Sequence, residues 1–169
     1  MSIEIKKCAV LGAGVMGAQI AGHIANAGIP SLLFDMNEDL AQRGVDGLTK
    51  LKPAPLFSPS NASLVMPCTY ENDMEKLKDC DLIIEAVAEK IEIKHAVYKN
   101  LLPYLKKGAI LASNTSGIPL ANLVEVLPED VQKSFLIAHF FNPPRYLKLL
   151  ELVKGEKTSD DVYDTVTEF

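Results

Sequence analysis

The chain carries only three cysteines, Cys8, Cys68 and Cys80, an odd count at wide spacings with no CxxC pair. That excludes a disulfide framework and a zinc ribbon, so no metal site is expected and the thiols read as free, in a reducing cytoplasm. Arginine is scarcer still. Arg43 and Arg145 are the only two among 17 basic residues, which leaves little for bidentate phosphate clamps. With no basic block and a net charge of -5, a nucleic-acid partner is not expected. No apolar run approaches the roughly 18 residues of a membrane span. The apolar stretch after the N-terminal residues 1–7 dissolves into glycines too soon for a secretory signal and reads as a strand. Neither internal repeats nor low-complexity tracts break the chain.

What is present fits one ordinary domain. Of 169 residues, 48% are apolar and 23% charged, enough to bury roughly 70% of the unfolded surface and too apolar for intrinsic disorder. Short apolar runs alternate with helical patterns. Residues 7–12, 31–35, 81–87 and 109–113 read as strands, and their apolar character on both faces predicts a parallel sheet covered by helices on two sides. Residues 16–27 and 92–105 have helical spacing and end in Gly28 and Gly108. Asn37 reads as an N-cap, followed by Glu38 and Asp39 in the first turn. Residues 52–67 hold four prolines and read as a surface excursion with one short strand near Leu64 and Val65. Strands are expected at 133–140 and, after a Pro-Pro turn, at 147–153. From Ser159 a well-capped helix begins, and the chain ends inside that pattern.

Gly12-Ala13-Gly14-Val15-Met16-Gly17 matches GxGxxG, follows a strand and opens a helix. The first Gly permits a tight turn, the second lets a pyrophosphate approach the backbone, and the third lets helix and strand pack closely. The helix N-terminus offers free amides to phosphates. Asp35 closes the next strand, where a carboxylate accepts from ribose hydroxyls and repels a 2'-phosphate. Met36 follows it in place of a basic residue, so NAD is favoured over NADP. The fold class expected is α/β, a Rossmann-like doubly wound, mostly parallel sheet with helices on both faces.

Two further segments sit at predicted strand ends, where ligand crevices lie in such sheets. His139 is followed by Phe140-Phe141-Asn142-Pro143-Pro144-Arg145, and Glu151 lies 12 residues beyond it on the next strand. Imidazole suits proton abstraction from an alcohol, and a carboxylate on its other nitrogen would fix the tautomer. Pro143 pushes Asn142 toward an extended conformation. Ser113-Asn114-Thr115-Ser116-Gly117 could polarise a reacting oxygen, or could be a polar turn and cap before Pro119. His23 and His95 read as ordinary surface histidines on helices.

Together, GAGVMG at 12–17, IIEAVAEKIEIK at 83–94, SNTSGIPL at 113–120 and HFFNPPRYLKLLELV at 139–153 resemble L-3-hydroxyacyl-CoA dehydrogenase. The NPPRYLKLLE wording and KPAPL at 52–56 are most similar to the long fused enzymes of fatty-acid β-oxidation, in which an enoyl-CoA hydratase half accompanies the dehydrogenase. The resemblance implies oxidation of (S)-3-hydroxyacyl-CoA by NAD, with His139 as base and Glu151 orienting it. Ser116 would touch substrate and cofactor, with Asn142 beside the nicotinamide. Gly12, Gly14, Val15, Met16, Gly17 and Asp35 would hold the adenosine diphosphate portion, and Glu89, Lys94 and Asn114 would complete the cofactor site. From helical spacing alone Lys94 reads as a solvated lysine, and Glu85 carries no assignment.

Two departures stand out. Family members usually carry a long charged arm after the second strand, whereas here only residues 40–56 fill that place, with Lys50 and Lys52 as candidates for coenzyme A. A C-terminal helical domain for substrate and dimerisation is expected to be missing from residues 1–169. The partners implied are acyl-CoA and a homo-oligomer or fused multifunctional enzyme. Alternatives are an NAD-binding module without independent turnover, or a dehydrogenase of another 3-hydroxy acid.

Overall fold

A computed structural model describes residues 4–169, so the first three residues of the N-terminal stretch lie outside the described part. Seven strands make one sheet: β1 (Cys8–Leu11), β2 (Ser31–Asp35), β3 (Val65–Thr69), β4 (Leu82–Glu85), β5 (Ile110–Ser113), β6 (Phe135–Phe140) and β7 (Leu150–Lys154). Their spatial order is β3-β2-β1-β4-β5-β6-β7. All neighbouring pairs are parallel except β6 with β7. The helices are α1 (Val15–Asn26), α2 (Glu38–Gly47), α3 (Ile91–Leu101), α4 (Leu120–Val124), α5 (Glu129–Gln132) and α6 (Asp160–Glu168). This is the doubly wound α/β arrangement that the alternating pattern predicts. The strand order reverses beside β1, and a crevice opens there at the carboxyl ends of β1 and β4.

Alternation along each strand splits the core in two. Cys8, Val10, Leu33, Ile84, Ala112 and Ala138 face α1 and α6, meeting Ile20, Ile24, Val162 and Val166. Ala9, Leu11, Phe34, Ile83, Leu111 and Phe135 face the other way, against Tyr98, Leu101 and Leu123. All three cysteines are buried and free. Among the described residues no helix is long and apolar enough to cross a membrane.

Several boundaries move for physical reasons. β3 runs on through Pro67 to Thr69 instead of stopping near Val65, because it is the edge strand, where a missing N–H costs no ladder bond. The helix expected over 92–105 runs from Ile91 and ends at Leu101, since Pro103 closes it in a short 3₁₀ turn. β7 begins at Leu150, not Leu147. Its partner β6 ends at Phe140, opposite Leu150, and the amides of Tyr146 and Leu147 are taken by the Pro143 carbonyl in a tight turn. Asn37 does cap α2, accepting from the Leu40 amide at 3.0 Å. Ser159 precedes α6 without a side-chain cap bond, contrary to the well-capped start expected there.

Candidate functional site

The glycine loop joins β1 to α1 at the reversal point. Gly12 has φ +101°, a conformation that favours glycine, and a Cβ there would meet the Ala86 carbonyl oxygen at 2.6 Å. Its amide donates to the Phe34 carbonyl at 2.8 Å. Asp35, at the end of β2, accepts from the Ala13 amide (2.7 Å) and from the Met36 amide (2.7 Å), so the acidic residue that follows the loop in sequence also holds the loop's shape. No side chain caps α1, which leaves its first amides facing the crevice. Space lies open above Gly14, where an added Cβ would have no neighbour within 4 Å.

Beside Asp35 an apolar cavity of about 530 Å³ is lined by Leu11, Met36, Tyr70, Met74, Ile93 and Val97. Tyr70 stacks on Phe34 with ring centroids 5.9 Å apart. Its hydroxyl is buried beside the Gly12 backbone. Burial, with the nearby Asp35 and Glu85 charges, pushes that phenol well above its ordinary pKa.

Across the crevice, β6 and β7 place His139 directly opposite Glu151. The imidazole Nδ1 lies 2.9 Å from a Glu151 carboxylate oxygen. The histidine side chain is 19% exposed and the glutamate 55%, so one ring edge is held while the rest of the group remains within reach of solvent. The Phe141 ring packs against the imidazole at 4.6 Å. Asn114, at the end of β5, accepts from the Phe140 amide (2.8 Å) and ties the two strand ends together next to His139. Asn142 meets α1, its side-chain oxygen accepting from Gln19 at 3.2 Å across a separation of 123 residues. The Asn142–Pro143 peptide bond is cis. Arg145 donates to the carbonyls of Ala54 and Leu56 and lies over the rings of Phe57 (4.8 Å) and Tyr146 (5.1 Å). The proline-rich excursion is thereby fastened to the turn that follows His139.

A third group of residues joins the two halves of the crevice. The Glu89 carboxylate accepts from the Thr115 hydroxyl and from the amides of Ser116 (3.0 Å) and Gly117 (3.3 Å). Burial pushes its carboxyl up, but the Thr115 hydroxyl, the Lys94 ammonium and the Ser116 amide outweigh that and hold it below the usual carboxylate range. Ser116 itself is exposed. Lys94 is only 1% exposed, so the reading as a solvated lysine is wrong. Its ammonium bridges Glu85 at 2.6 Å and Glu89 at 3.2 Å. Glu85, fully buried in β4, also accepts from the Tyr98 hydroxyl (2.8 Å), the Ser113 hydroxyl (2.7 Å) and the Val87 amide (2.9 Å).

The family model described as 3-hydroxyacyl-CoA dehydrogenase, NAD binding domain, matches residues 7–169. The chain belongs to this family. It is 45% identical over 174 residues to a probable 3-hydroxyacyl-CoA dehydrogenase of Deinococcus radiodurans, covering 99% of this chain and 50% of that protein. It is 43% identical to a putative fatty acid oxidation complex trifunctional enzyme of Rickettsia felis, covering all of this chain and 24% of that one. The crystal structure of (S)-3-hydroxybutyryl-CoA dehydrogenase from Ralstonia eutropha superimposes with a TM-score of 0.83 at 30% identity, over 98% of this chain and 59% of that chain. The chain thus spans a quarter to a half of the length of these two curated relatives.

For a 3-hydroxyacyl-CoA dehydrogenase domain the cofactor is NAD, and the cradle can hold it. Uncapped amides, open space above Gly14, a carboxylate at the end of β2 and an apolar cavity reaching Leu11 and Met36 lie together at the carboxyl ends of β1 and β2. Sequence reasoning missed Glu85, Tyr98 and Tyr70. Only Glu85 left a signal: a charge inside an apolar strand run must be paired if it is buried. Of the two other histidines, His95 does donate to a surface carbonyl, that of Asn122 at 2.8 Å. His23 is half-buried in α1 with an unpartnered Nδ1, and burial beside Arg145 lowers its pKa. The surface reading fails for His23.

Proposed function

We propose that the protein containing this chain oxidises (S)-3-hydroxyacyl-CoA to 3-oxoacyl-CoA with NAD⁺, releasing NADH and a proton. The observation that carries this reading is the 2.9 Å contact between His139 Nδ1 and Glu151 at the mouth of a dinucleotide crevice. Bound NAD⁺ supplies the hydride acceptor for carbon 3 of the substrate. Glu151 accepts from Nδ1–H, which leaves Nε2 as the base; Nε2 takes up the substrate hydroxyl proton, and the Glu151 carboxylate stabilises the imidazolium that results. Ser116 steadies the substrate oxygen and the nicotinamide side of the cofactor, and Asn142 and Asn114 line the same end.

On the other half, the amides of Gly14, Val15, Met16 and Gly17 carry the diphosphate, where the helix N-terminus favours negative charge. Asp35 takes the adenosine ribose hydroxyls, and Met36, Tyr70, Ile93 and Val97 enclose the adenine. Glu89 and Lys94 serve the nicotinamide ribose. The name of the Ralstonia relative supports (S)-stereochemistry, and that of the Rickettsia relative supports a fused enzyme of fatty-acid oxidation. The chain spans only part of these relatives, and turnover is assigned to the intact protein, as a homo-oligomer or a fused multifunctional enzyme. This domain alone is expected to bind NADH and to reduce acetoacetyl-CoA poorly, since fixing the acyl group is worth several kcal/mol of barrier.

The test is an NADH titration by fluorescence followed by acetoacetyl-CoA reduction in the intact protein. His139→Ala is expected to lose ~10²–10⁴-fold in kcat with NADH affinity unchanged. Retention of more than half the activity would remove His139 from the mechanism, and saturable NADH binding without turnover of any 3-oxoacyl-CoA would end the substrate assignment.

A further inference from the structure

Buried ion pairs are poor stabilising devices. Replacing one by apolar groups of similar volume is often neutral or favourable, because desolvation offsets the attraction. The Glu85–Lys94 pair is nevertheless buried almost completely, at 0% and 1% exposure, and the Glu85 carboxylate also accepts from the Val87 amide and the Tyr98 and Ser113 hydroxyls. The direction of the contacts suggests what the pair is for. Lys94 reaches from α3 to Glu85 below and Glu89 above. Glu89 in turn gathers the Thr115 hydroxyl and the backbone amides of Ser116 and Gly117. A line of charge-assisted contacts therefore runs from the interior of β4 to the backbone on which Ser116 is mounted.

We propose that Glu85 is a positioning residue for the cofactor end of the site: its buried carboxylate fixes the Lys94 ammonium, through it Glu89, and through Glu89 the Ser116–Gly117 backbone. The proposal rests on the reading of this crevice as the NAD site. Remove the Glu85 charge, and Lys94 keeps a single counter-charge, Glu89, whose side chain is 44% exposed. An ammonium so placed gives up its proton or leaves the interior, and in either case Glu89 loses the contact that aims it. Tyr98 and Ser113 share the other Glu85 oxygen, so a neutral Gln at this position conserves shape while the charge disappears.

The experiment compares the intact wild-type protein with Glu85→Gln, Lys94→Met and the double variant, reading NADH affinity by fluorescence, the thermal midpoint, and KM for NAD against kcat. Each single variant is expected to bind NADH about 10-fold more weakly, with the loss carried in KM more than in kcat. The double variant, a neutral pair of nearly native shape, is expected to regain most of the thermal midpoint while its NADH affinity stays as low as in either single variant, because interacting residues are not additive. Wild-type affinity in a folded Glu85→Gln protein overturns the proposal. So does a double variant that regains stability and affinity together, which would make the pair purely structural. Should Glu85→Gln fail to fold, Glu85→Asp, which draws the charge back from Lys94 by one methylene, takes its place, and wild-type NADH affinity in that variant overturns the proposal. If the wild type binds NADH but turns over no hydroxyacyl-CoA, the substrate assignment falls and the affinity comparison still decides the role of Glu85.

Discussion

Gly14 and Gly17 stand three residues apart in one motif, yet the structure gives them opposite duties, and alanine at each should separate stability from binding. A Cβ on Gly17 would stand 1.7 Å from the Gly12 carbonyl oxygen and 2.9 Å from its carbonyl carbon. Neither atom belongs to a flexible side chain. Gly12 is itself fixed by φ +101° and by its bond to Phe34, so the loop and the helix start must part by roughly an ångström. Overpacking of this kind costs typically 1–3 kcal/mol, here at the upper end, and the better helix propensity of Ala returns at most about 1 kcal/mol. A net loss of about 2 kcal/mol lowers the thermal midpoint of a domain this size by roughly 4–8 °C.

Gly14 is different. Its φ of -67° and ψ of -172° suit any residue, and its added Cβ touches nothing. Ala is a poorer N-cap than Gly by up to about 1 kcal/mol, while the restricted unfolded chain returns about 0.4–1 kcal/mol, so the midpoint should hardly move. The methyl group would instead occupy the space over the α1 amides. NADH affinity should fall at least ~10-fold, which is about 1.4 kcal/mol. Thermal melts followed by circular dichroism, paired with NADH fluorescence titrations, give both numbers for both variants. Gly17→Ala melting with the wild type, or Gly14→Ala binding NADH as the wild type does, would refute the reasoning.

Two further outcomes follow from buried ionisable groups. The Asp81 carboxylate accepts from the amides of Lys6 (2.9 Å) and Lys7 (3.2 Å) and pairs with Lys106 at 2.6 Å. Burial pushes its carboxyl up, but Lys106 and the two amides outweigh that and leave it below the usual range. Its contribution is therefore present above the ordinary carboxyl pKa of about 4 and lost as pH falls through the lower folded value. Urea melts across acidic pH should show Asp81→Asn losing about 1–3 kcal/mol at neutrality and flattening the acid limb, and an unchanged limb would count against this. Burial also pushes the thiols of Cys68 to about 11 and Cys80 to about 12, and Cys8 upward as well. None should react with a disulfide reagent at pH 8 until urea unfolds the protein, and rapid labelling of the native state would contradict the burial.

The elements legible in the sequence are those whose cause is local. The glycine loop, Asp35 and the apolar runs of β1, β2, β4 and β5 announce themselves because turn geometry and two-sided burial act on neighbouring residues. β3 reads short because Pro67 signals a break, and only the sheet order reveals that an edge strand can hold it. Lys94 misleads for a related reason. A lysine among Glu92, Lys90 and His95 on a helix has every mark of a solvated face, and its two carboxylate partners lie on β4 and in the loop after it. The cavity beside Met36 is equally invisible, since it is assembled from β1, the segments after β2 and β3, and α3.

The His139–Glu151 pair shows how much of a site can be a matter of register. In an antiparallel ladder directly opposed residues share a face, with Cβ atoms about 4.5–5.5 Å apart. Residues 139 and 151 meet for that reason, in a run of pairs from Leu136 opposite Lys154 to Phe140 opposite Leu150. A slip of one residue would turn Glu151 to the opposite face and leave the imidazole without its acceptor. On the β6 side the register is held by the buried Leu136 and Ala138, against which Leu152 packs. At the open end it is held by the turn, where Pro143 gathers two amides and Arg145 reaches the Ala54 and Leu56 carbonyls some 90 residues away. The proline-rich excursion thus acts on the His139–Glu151 pair through the turn. It anchors the turn, the turn sets the ladder, and the ladder brings a carboxylate to one nitrogen of the imidazole while the other stays clear of it.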